Sequence, residues 1–416
     1  MTDVLIVGAG LAGLSCACEM VGKGLSCLVL EASDEVGGRA RSDKVDGFIL
    51  DRGFQVLLTA YPEAERLLDY QALQLARFEP GALVRFDGRF HRVTDPWRRP
   101  SGALGSFLSP VGTVADKLRL ARLRSRLVHT APQDPLADET STIEFLRDWG
   151  FSPRIIERFF RPFIGGIFLE RELQTSSRMF EFVFRMFSLG DAALPSGGMG
   201  AIAQQLVRRL AEPAVRLRHR VVKVAPQAVT LASGEEIPAR AVVVATDQTA
   251  AAHLLPELKA SGWRGTTCFY FAAKKAPVSQ PMLVLNGEGR GPINNLCVPS
   301  VVSPSYAPSG THLVSATVIG DHGQSPDGLL GEVRDQLTEW FGTDVHGWRH
   351  LRTYWIPDAL PSQPPASGGV TRKEKCVSPG LYVCGDHCDT ASINGALASG
   401  RGVAKAILES FGGKAT

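Results

Sequence analysis

The chain has 416 residues, 44% hydrophobic and 21% charged, with 43 Gly, 26 Pro and a formal net charge of +3. A chain this long buries roughly three quarters of its extended surface, so it needs no staples to fold. Ordinary apolar content and small net charge exclude disorder for most of it. No apolar run approaches the roughly 20 residues of a membrane span. No basic n-region precedes Val4, so no secretory signal is expected. The eight cysteines are Cys16, Cys18, Cys27, Cys268, Cys297, Cys376, Cys384 and Cys388. None forms a C-x-x-C pair, which leaves a zinc site without ligand spacing, and no metal is expected. Inert thiols in a reducing, cytoplasmic setting are expected instead.

Residues 3–8 read as a strand buried on both faces, residues 11–22 as a helix and residues 25–31 as a second apolar strand. Strand, helix and strand within about 30 residues mark a βαβ unit of a parallel sheet. Residues 60–130 read as helices with irregular links. Residues 142–190 read as helical and aromatic, with Phe159, Phe160, Phe163, Phe168, Phe180, Phe182, Phe184 and Phe187. Strand signals return at 215–224, 229–231 and 241–245. A block rich in Pro and Gly, residues 256–365, carries strands such as 268–272 and 313–317. A last strand, 381–384, precedes a helix from about 393 to 411. The α/β signals therefore come in three pieces. The expected organisation is one nucleotide-binding domain (1–56, 190–255 and 366–416) interrupted twice by a second domain (57–189 and 256–365).

Val7-Gly8-Ala9-Gly10-Leu11-Ala12-Gly13 is a G-x-G-x-x-G turn between strand and helix, with Glu31 following 18 residues after Gly13 at a strand end. That context makes it a dinucleotide site. Gly8 permits the tight turn, Gly10 lets the backbone approach a pyrophosphate, and Gly13 allows close helix–strand packing. The helix N-terminus offers free N–H groups and a positive dipole end to phosphate. Glu31 accepts from ribose hydroxyls, and its charge disfavours a 2′-phosphate. In Gly37-Gly38-Arg39-Ala40-Arg41-Ser42, two glycines admit a second close backbone approach and Arg39 neutralises pyrophosphate.

The string from Val4 to Ser42 closely resembles the GG-doublet motif of the flavin-containing amine oxidase superfamily. That superfamily includes monoamine and polyamine oxidases, protoporphyrinogen oxidase, and phytoene and carotenoid desaturases. Further segments resemble its motifs in the expected order. Asp51-Arg52-Gly53-Phe54-Gln55 resembles the loop toward the flavin, and Pro195-Ser196-Gly197-Gly198-Met199 the returning turn. Residues 221–224 resemble the strand that contacts adenine, and Ala241-Val242-Val243-Val244-Ala245-Thr246 the strand leading out. Gly380-Leu381-Tyr382-Val383-Cys384-Gly385-Asp386 and residues 392–400 resemble the final motif and closing helix.

The resemblance implies an α/β fold, with a Rossmann-like FAD-binding domain on a parallel sheet interrupted twice by a mixed α+β substrate domain. It implies noncovalent FAD, since no cysteine attachment motif is present. The implied cofactor contacts are Gly8, Gly10, Leu11, Ala12, Gly13, Glu31, Gly37, Gly38, Arg39, Gly53, Phe54, Gln55, Val221, Ala245, Thr246, Gly385, Asp386, Asn394, Gly395 and Ala396. Ser392 or Asn394 can cap the closing helix. Its N-terminus, opened by Gly395, would aim positive dipole at the flavin and favour hydride acceptance.

Phe160-Arg161-Pro162-Phe163-Ile164-Gly165-Gly166-Ile167-Phe168 looks like a segment of protoporphyrinogen oxidases and carotenoid desaturases, whose substrates are large and apolar. The aromatic run could line such a pocket, although at helical spacing core is the commoner role. Related amine oxidases often carry a lysine near flavin N5. Here Thr267 falls near that position, and Lys274 and Lys275 come later. The stretch from Gly385 to Gly395 is also short for an aromatic cage residue. The expected reaction is dehydrogenation of an apolar small molecule, carotenoid, isoprenoid or porphyrinogen in type, with oxygen or a quinone as electron acceptor. The alternatives are an amine oxidase, a flavin-bearing isomerase and a non-catalytic binding protein. His387 is the best ionisable candidate near the flavin, although a satisfied structural His is the commoner reading of that position. Cys384 and Cys388 are spaced C-x-x-x-C, a poor redox pair.

Between Arg85 and Arg126, ten Lys or Arg face three Asp, a net of +7. Residues 113–127 set Val114, Leu118 and Leu120 beside Lys117, Arg119, Arg122, Arg124 and Arg126. This pattern fits a basic helix on an anionic membrane, hence peripheral attachment, although a solvated charged face is the commoner explanation of such a run. No recognition motif accompanies the charge, so nucleic acid is not an expected partner.

Overall fold

The computed structural model describes residues 2–99, 105, 109–130, 138–210, 214–258, 261–320, 326–365 and 376–412. Strands β1 (Thr2–Val7) and β2 (Cys27–Leu30) pair in parallel, with helix α1 (Leu11–Val21) crossing between them. Val4, Leu5 and Ile6 are fully buried, as expected where both faces of a parallel strand are covered. β3 (Ser42–Val45) and β4 (Phe48–Asp51) form a hairpin. After α2 (Pro62–Leu67), β5 (Gly81–Phe86) and β6 (Arg89–Thr94) form another.

This second hairpin corrects the helical expectation for residues 60–130. Asp87 and Gly88 take φ of 51° and 67°. A two-residue turn with both φ positive matches the twist of paired strands. The Asp-Gly pair between Val84, Phe86 and Phe90 is the sequence signal for it.

Helices follow: α3 (Val114–His129), α4 (Arg161–Phe168) and α5 (Ser177–Leu189). Leu123, Phe145, Phe160, Phe168 and Phe180 form their shared core. Phe159, Phe163, Phe182, Phe184 and Phe187 are half-buried and pack against it. The aromatic run is thus largely core.

The chain then forms β7 (Val215–Arg216), β8 (Val221–Ala225), β9 (Ala228–Leu231), β10 (Glu236–Val244) and α6 (Gln248–Leu254). Next come β11 (Trp263–Ala273), β12 (Leu283–Asn286), β13 (Ile293–Cys297), β14 (His312–Ile319), α7 (Pro326–Phe341) and β15 (Arg349–Pro361). β16 (Cys376–Ser378), β17 (Leu381–Val383) and α8 (Ile393–Gly412) complete it.

Two large sheets result. The first has eight strands ordered β7-β2-β1-β10-β9-β8, with β17 also on β10 and β16 on β17. Its centre is parallel, with Val4, Leu5 and Ile6 beside Ala241, Val242 and Val243. β8, β9 and β16 pair antiparallel at its margins. Its strands come from three separated stretches of chain. The expected return to this unit at residue 366 falls on residues 366–375, outside the described residues. α1 and α8 cover one face, tied by Ser15 Oγ donating to Leu397 O at 2.9 Å.

The second sheet has seven strands ordered β15-β11-β14-β13-β12-β5-β6, antiparallel except for β12 against β5. Side chains alternate between its faces. Phe269, Phe271 and Val318 pack under Leu329, Val333 and Leu337 of α7. Cys268, Tyr270 and Cys297 face Phe48 and Leu50 of β4. Among the described residues, no helix is long and apolar enough to cross a membrane.

Candidate cofactor and active site

The motif residues gather at the C-terminal ends of the parallel strands, where open α/β sheets bind ligands. The turn after β1 is drawn inward by Gly8 N–H on Leu30 O at 2.8 Å. Gly37 N–H donates to Ala9 O at 2.8 Å, so the glycine doublet lies against the first glycine loop. A side chain at Gly13 would meet Gly8 O at 2.1 Å, the close helix–strand contact expected there. A Cβ placed on Gly10 would meet nothing within 4 Å. The open side of the loop is therefore at Gly10, and Gly38 (φ 59°) flanks it, with its Cβ position 3.4 Å from Gly10 Cα.

No side chain caps α1, and no acid stands in its first turn, which includes Leu11, Ala12 and Gly13. Its N–H groups are left for an anion. Glu31 sits below: one carboxylate oxygen accepts Ala9 N–H at 2.8 Å, and the other accepts Ser33 N–H and Oγ, each at 2.8 Å. His219 N–H donates to Glu31 O at 2.8 Å, which brings the chain leading into Val221 alongside. Ala245 N–H donates to Val7 O at 2.8 Å, and Thr246 follows at the rim.

Arg39 Nη2 pairs with Asp386 at 2.5 Å. Burial works against the guanidinium charge, and the neighbouring Asp386 more than offsets it, so the Arg39 pKa is raised. Gly385 N–H donates to Ser399 Oγ at 3.1 Å, fixing the last motif to α8. Gln55 Nε2 donates to Arg39 O at 2.9 Å, which ties the Gly53–Phe54 loop to the doublet.

The closing helix is capped by Ser392, whose Oγ accepts Gly395 N–H at 3.0 Å, and Ala396 N–H reaches Ser392 O at 3.0 Å. Asn394 does not cap it. Its Oδ1 accepts Glu63 N–H at 3.0 Å and so serves the start of α2. A side chain at Gly395 would collide with Thr390 O at 1.9 Å.

The family model for flavin containing amine oxidoreductases matches residues 11–408. The chain belongs to this family. Its curated relatives include protoporphyrinogen oxidase 2 of Arabidopsis thaliana, 28% identical over 39% of this chain and 32% of that protein. Putrescine oxidase of Kocuria rosea is 36% identical over 34% of this chain and 30% of that one. These two alignments thus span about a third of each relative's length. Coproporphyrinogen III oxidase of Propionibacterium freudenreichii is 25% identical over 83% of this chain and 78% of that one. Among solved structures, a putative protoporphyrinogen oxidase from Exiguobacterium superposes with a TM-score of 0.74 at 19% identity, over 98% of this chain and 99% of the other. At that identity it shows the shared fold.

As a member of the flavin-containing amine oxidoreductases, the chain takes FAD. The residues present fit it: an uncapped helix start, an open side at Gly10 and a cation, Arg39, beside Gly38.

On the second sheet, the structure moves one expectation. Thr267 lies in register with Val318, which packs under α7. It is 4% exposed and faces away from the Gly53 loop. Thr266 and Cys268 face that loop instead. Thr266 is in register with Ile356, whose Cδ1 lies 2.9 Å from a Cβ placed on Gly53. The backbone of Phe54 reaches Cys268. A one-residue step along a strand reverses the face, so a position aligned only by sequence lands on the wrong side.

Sequence reasoning also passed over Asp51. Its carboxylate is buried and accepts Ser42 Oγ at 2.5 Å, Met199 N–H at 2.8 Å and Tyr306 Oη at 2.9 Å. Tyr270 Oη donates to its carbonyl at 2.8 Å. Burial raises its pKa to about 6, against the hydrogen bonds that hold the charge. An acid directly closing the apolar run Phe48-Ile49-Leu50 is the signal that could have found it.

His387 is buried, and its ring packs on the Gly385 backbone, with Cε1 2.3 Å from a Cβ placed there. That placement favours a structural role. Cys384 and Cys388 form no disulfide and lie in separate core clusters. Burial raises the Cys384 pKa and withholds the thiolate.

Proposed function

We propose that this flavoprotein dehydrogenates an apolar small molecule of the isoprenoid or porphyrinogen type. One observation carries the reading. The face of β11 turned toward Gly53 and Phe54 presents Thr266, Cys268 and Tyr270, and no lysine. Lys274 and Lys275 follow the strand and are exposed. Nearby, Phe54 and Phe78 meet edge to face at 6.4 Å, a surface suited to apolar contact. Bound FAD supplies a two-electron acceptor for hydride at N5. The protein's part is to position the substrate and keep water out; no acid or base is assigned. Oxygen or a quinone is the expected electron acceptor. The similarity to protoporphyrinogen oxidase 2 and coproporphyrinogen III oxidase supports the porphyrinogen branch. The match to putrescine oxidase supports amine oxidation as the second reading.

The test is an anaerobic absorbance titration with a porphyrinogen, a carotenoid precursor and a panel of amines. Bleaching near ~450 nm, where flavins absorb, by an apolar compound alone is the expected result. Bleaching by an amine alone overturns it. FAD without any bleaching points to an isomerase or a binding protein.

Residues 113–127 carry a secondary proposal. α3 exposes Val114 (52%) and Leu118 (64%). Most of its cations serve the fold. Lys117 donates to Ser109 O, Arg124 lies over Trp97, and Arg126 lies over Trp149. We propose that anionic membrane contact rests on Val114, Leu118 and Arg122. Co-sedimentation with anionic vesicles at low salt, reduced in Leu118→Asp, is expected. A wild-type protein that ignores such vesicles ends the idea.

A further inference from the structure

Arg39 is held from three sides by groups remote in sequence. Nη2 donates to Asp386 Oδ1 at 2.5 Å, and Nη1 donates to the Ala359 carbonyl at 3.0 Å. The guanidinium carbon lies 5.5 Å from the centroid of the Trp263 ring. Asp386 comes from the cofactor side of the molecule. Ala359 and Trp263 come from β15 and β11 of the antiparallel sheet. The indole is itself oriented, because Nε1 donates to Thr249 Oγ1 at 2.8 Å in α6, the helix that follows Ala245 and Thr246.

We propose that Trp263 is a cofactor-positioning residue, which acts through Arg39 to make the antiparallel sheet part of the FAD pyrophosphate site. The proposal rests on Arg39 as a phosphate partner and is independent of the substrate. A guanidinium has five N–H donors. Two are committed here, which leaves three for a phosphate partner. A free arginine loses much rotamer freedom when it clamps an anion. Stacking on Trp263 and bonding to Ala359 fix the fork before the dinucleotide arrives, and pre-organisation of this kind strengthens binding. The hold matters because Asp386 and Asp247 both act electrostatically on Arg39. A pyrophosphate placed near two carboxylates needs that cation in a fixed position.

The test is FAD retention by the purified holoenzyme, read as a dissociation constant from flavin fluorescence after dilution. Trp263→Ala should weaken FAD ~2- to 30-fold, the range of a cation–π contact from exposed to desolvated. Trp263→Phe should restore most of the loss. In an Arg39→Ala background, Trp263→Ala should add nothing. The proposal is overturned if Trp263→Ala keeps the wild-type constant, or costs the same factor without Arg39. It is equally overturned if Arg39→Ala leaves FAD binding unchanged. Should Trp263→Ala fail to fold, Thr249→Val frees the indole without removing it, and a smaller loss of FAD is expected. No loss in that variant also overturns the proposal. Since the readout is FAD itself, failure here is distinct from failure of every substrate to bleach the flavin.

Discussion

The two sheets build their halves of the site from different materials. At the ends of the parallel strands, backbone does the work: the N–H groups of α1, the carbonyls around Gly8 and Gly37, and glycines that keep side chains out. On the antiparallel sheet, side chains do it: Thr266, Cys268 and Tyr270 on one face, Phe269 and Phe271 on the other. A backbone site tolerates little change at few positions. A side-chain site depends on which face each residue takes, and it includes polar groups whose burial costs stability.

The strongest way to break this contrast is Gly10→Trp. A Cβ placed on Gly10 meets no protein atom within 4 Å, so the substitution opens into free space and the fold should survive. The indole would instead occupy the approach to the helix start. Losing two charge-assisted hydrogen bonds, at ~1.5–3 kcal/mol each, predicts FAD binding weakened by ~100-fold or more. Thermal unfolding of the FAD-free protein should be nearly unchanged. Full FAD occupancy in Gly10→Trp would remove the helix start from the site.

The same contrast explains what could be read from the sequence. Glycine spacing, Glu31 and the strand–helix–strand rhythm are local, so the cofactor loop was legible within some forty residues. The pairing of Arg39 with Asp386, Ala359 and Trp263 was not, because no local pattern relates positions hundreds of residues apart. Nor was the face of Thr267, which depends on its register with Val318. The Asp87-Gly88 hairpin was legible in principle, and the apolar residues around it had been read as helical. Asn394 sits where the closing motif expects it, yet its side chain serves α2, a use that only tertiary contact reveals.

Thr267→Lys tests the side-chain half directly. If the position faced the flavin, a lysine there would move the protein toward amine oxidation. With Thr267 4% exposed beneath α7, the ammonium would instead be buried among Phe269 and Val318. The expected outcome is a loss of ~4 kcal/mol in unfolding free energy, with no flavin bleaching by amines. A stable variant that amines bleach would put Thr267 on the other face.

Asp51 should give the smallest effect and the most specific one, because it appears as a dependence on pH. Its carboxyl lies where β4, the turn at Met199, Tyr306 and Tyr270 meet. Burial raises its folded pKa to about 6 from the ordinary 3.8. Between those values the folded chain holds a proton that the unfolded chain has released. Stability therefore falls as pH rises through this window and is flat above it. At 1.36 kcal/mol per unit, the drop is about 3 kcal/mol, an order-of-magnitude figure. Asp51→Asn can still accept from Ser42 and Met199 but cannot ionise. Other carboxylates titrate in both proteins, so the difference between the two isolates Asp51. In urea unfolding at fixed FAD, that difference should shift by about 3 kcal/mol in favour of Asp51→Asn between pH 4 and 7. A difference that does not change with pH would mean that the buried acid ionises at no cost, and the contrast between a backbone-built and a side-chain-built half would lose its energetic basis.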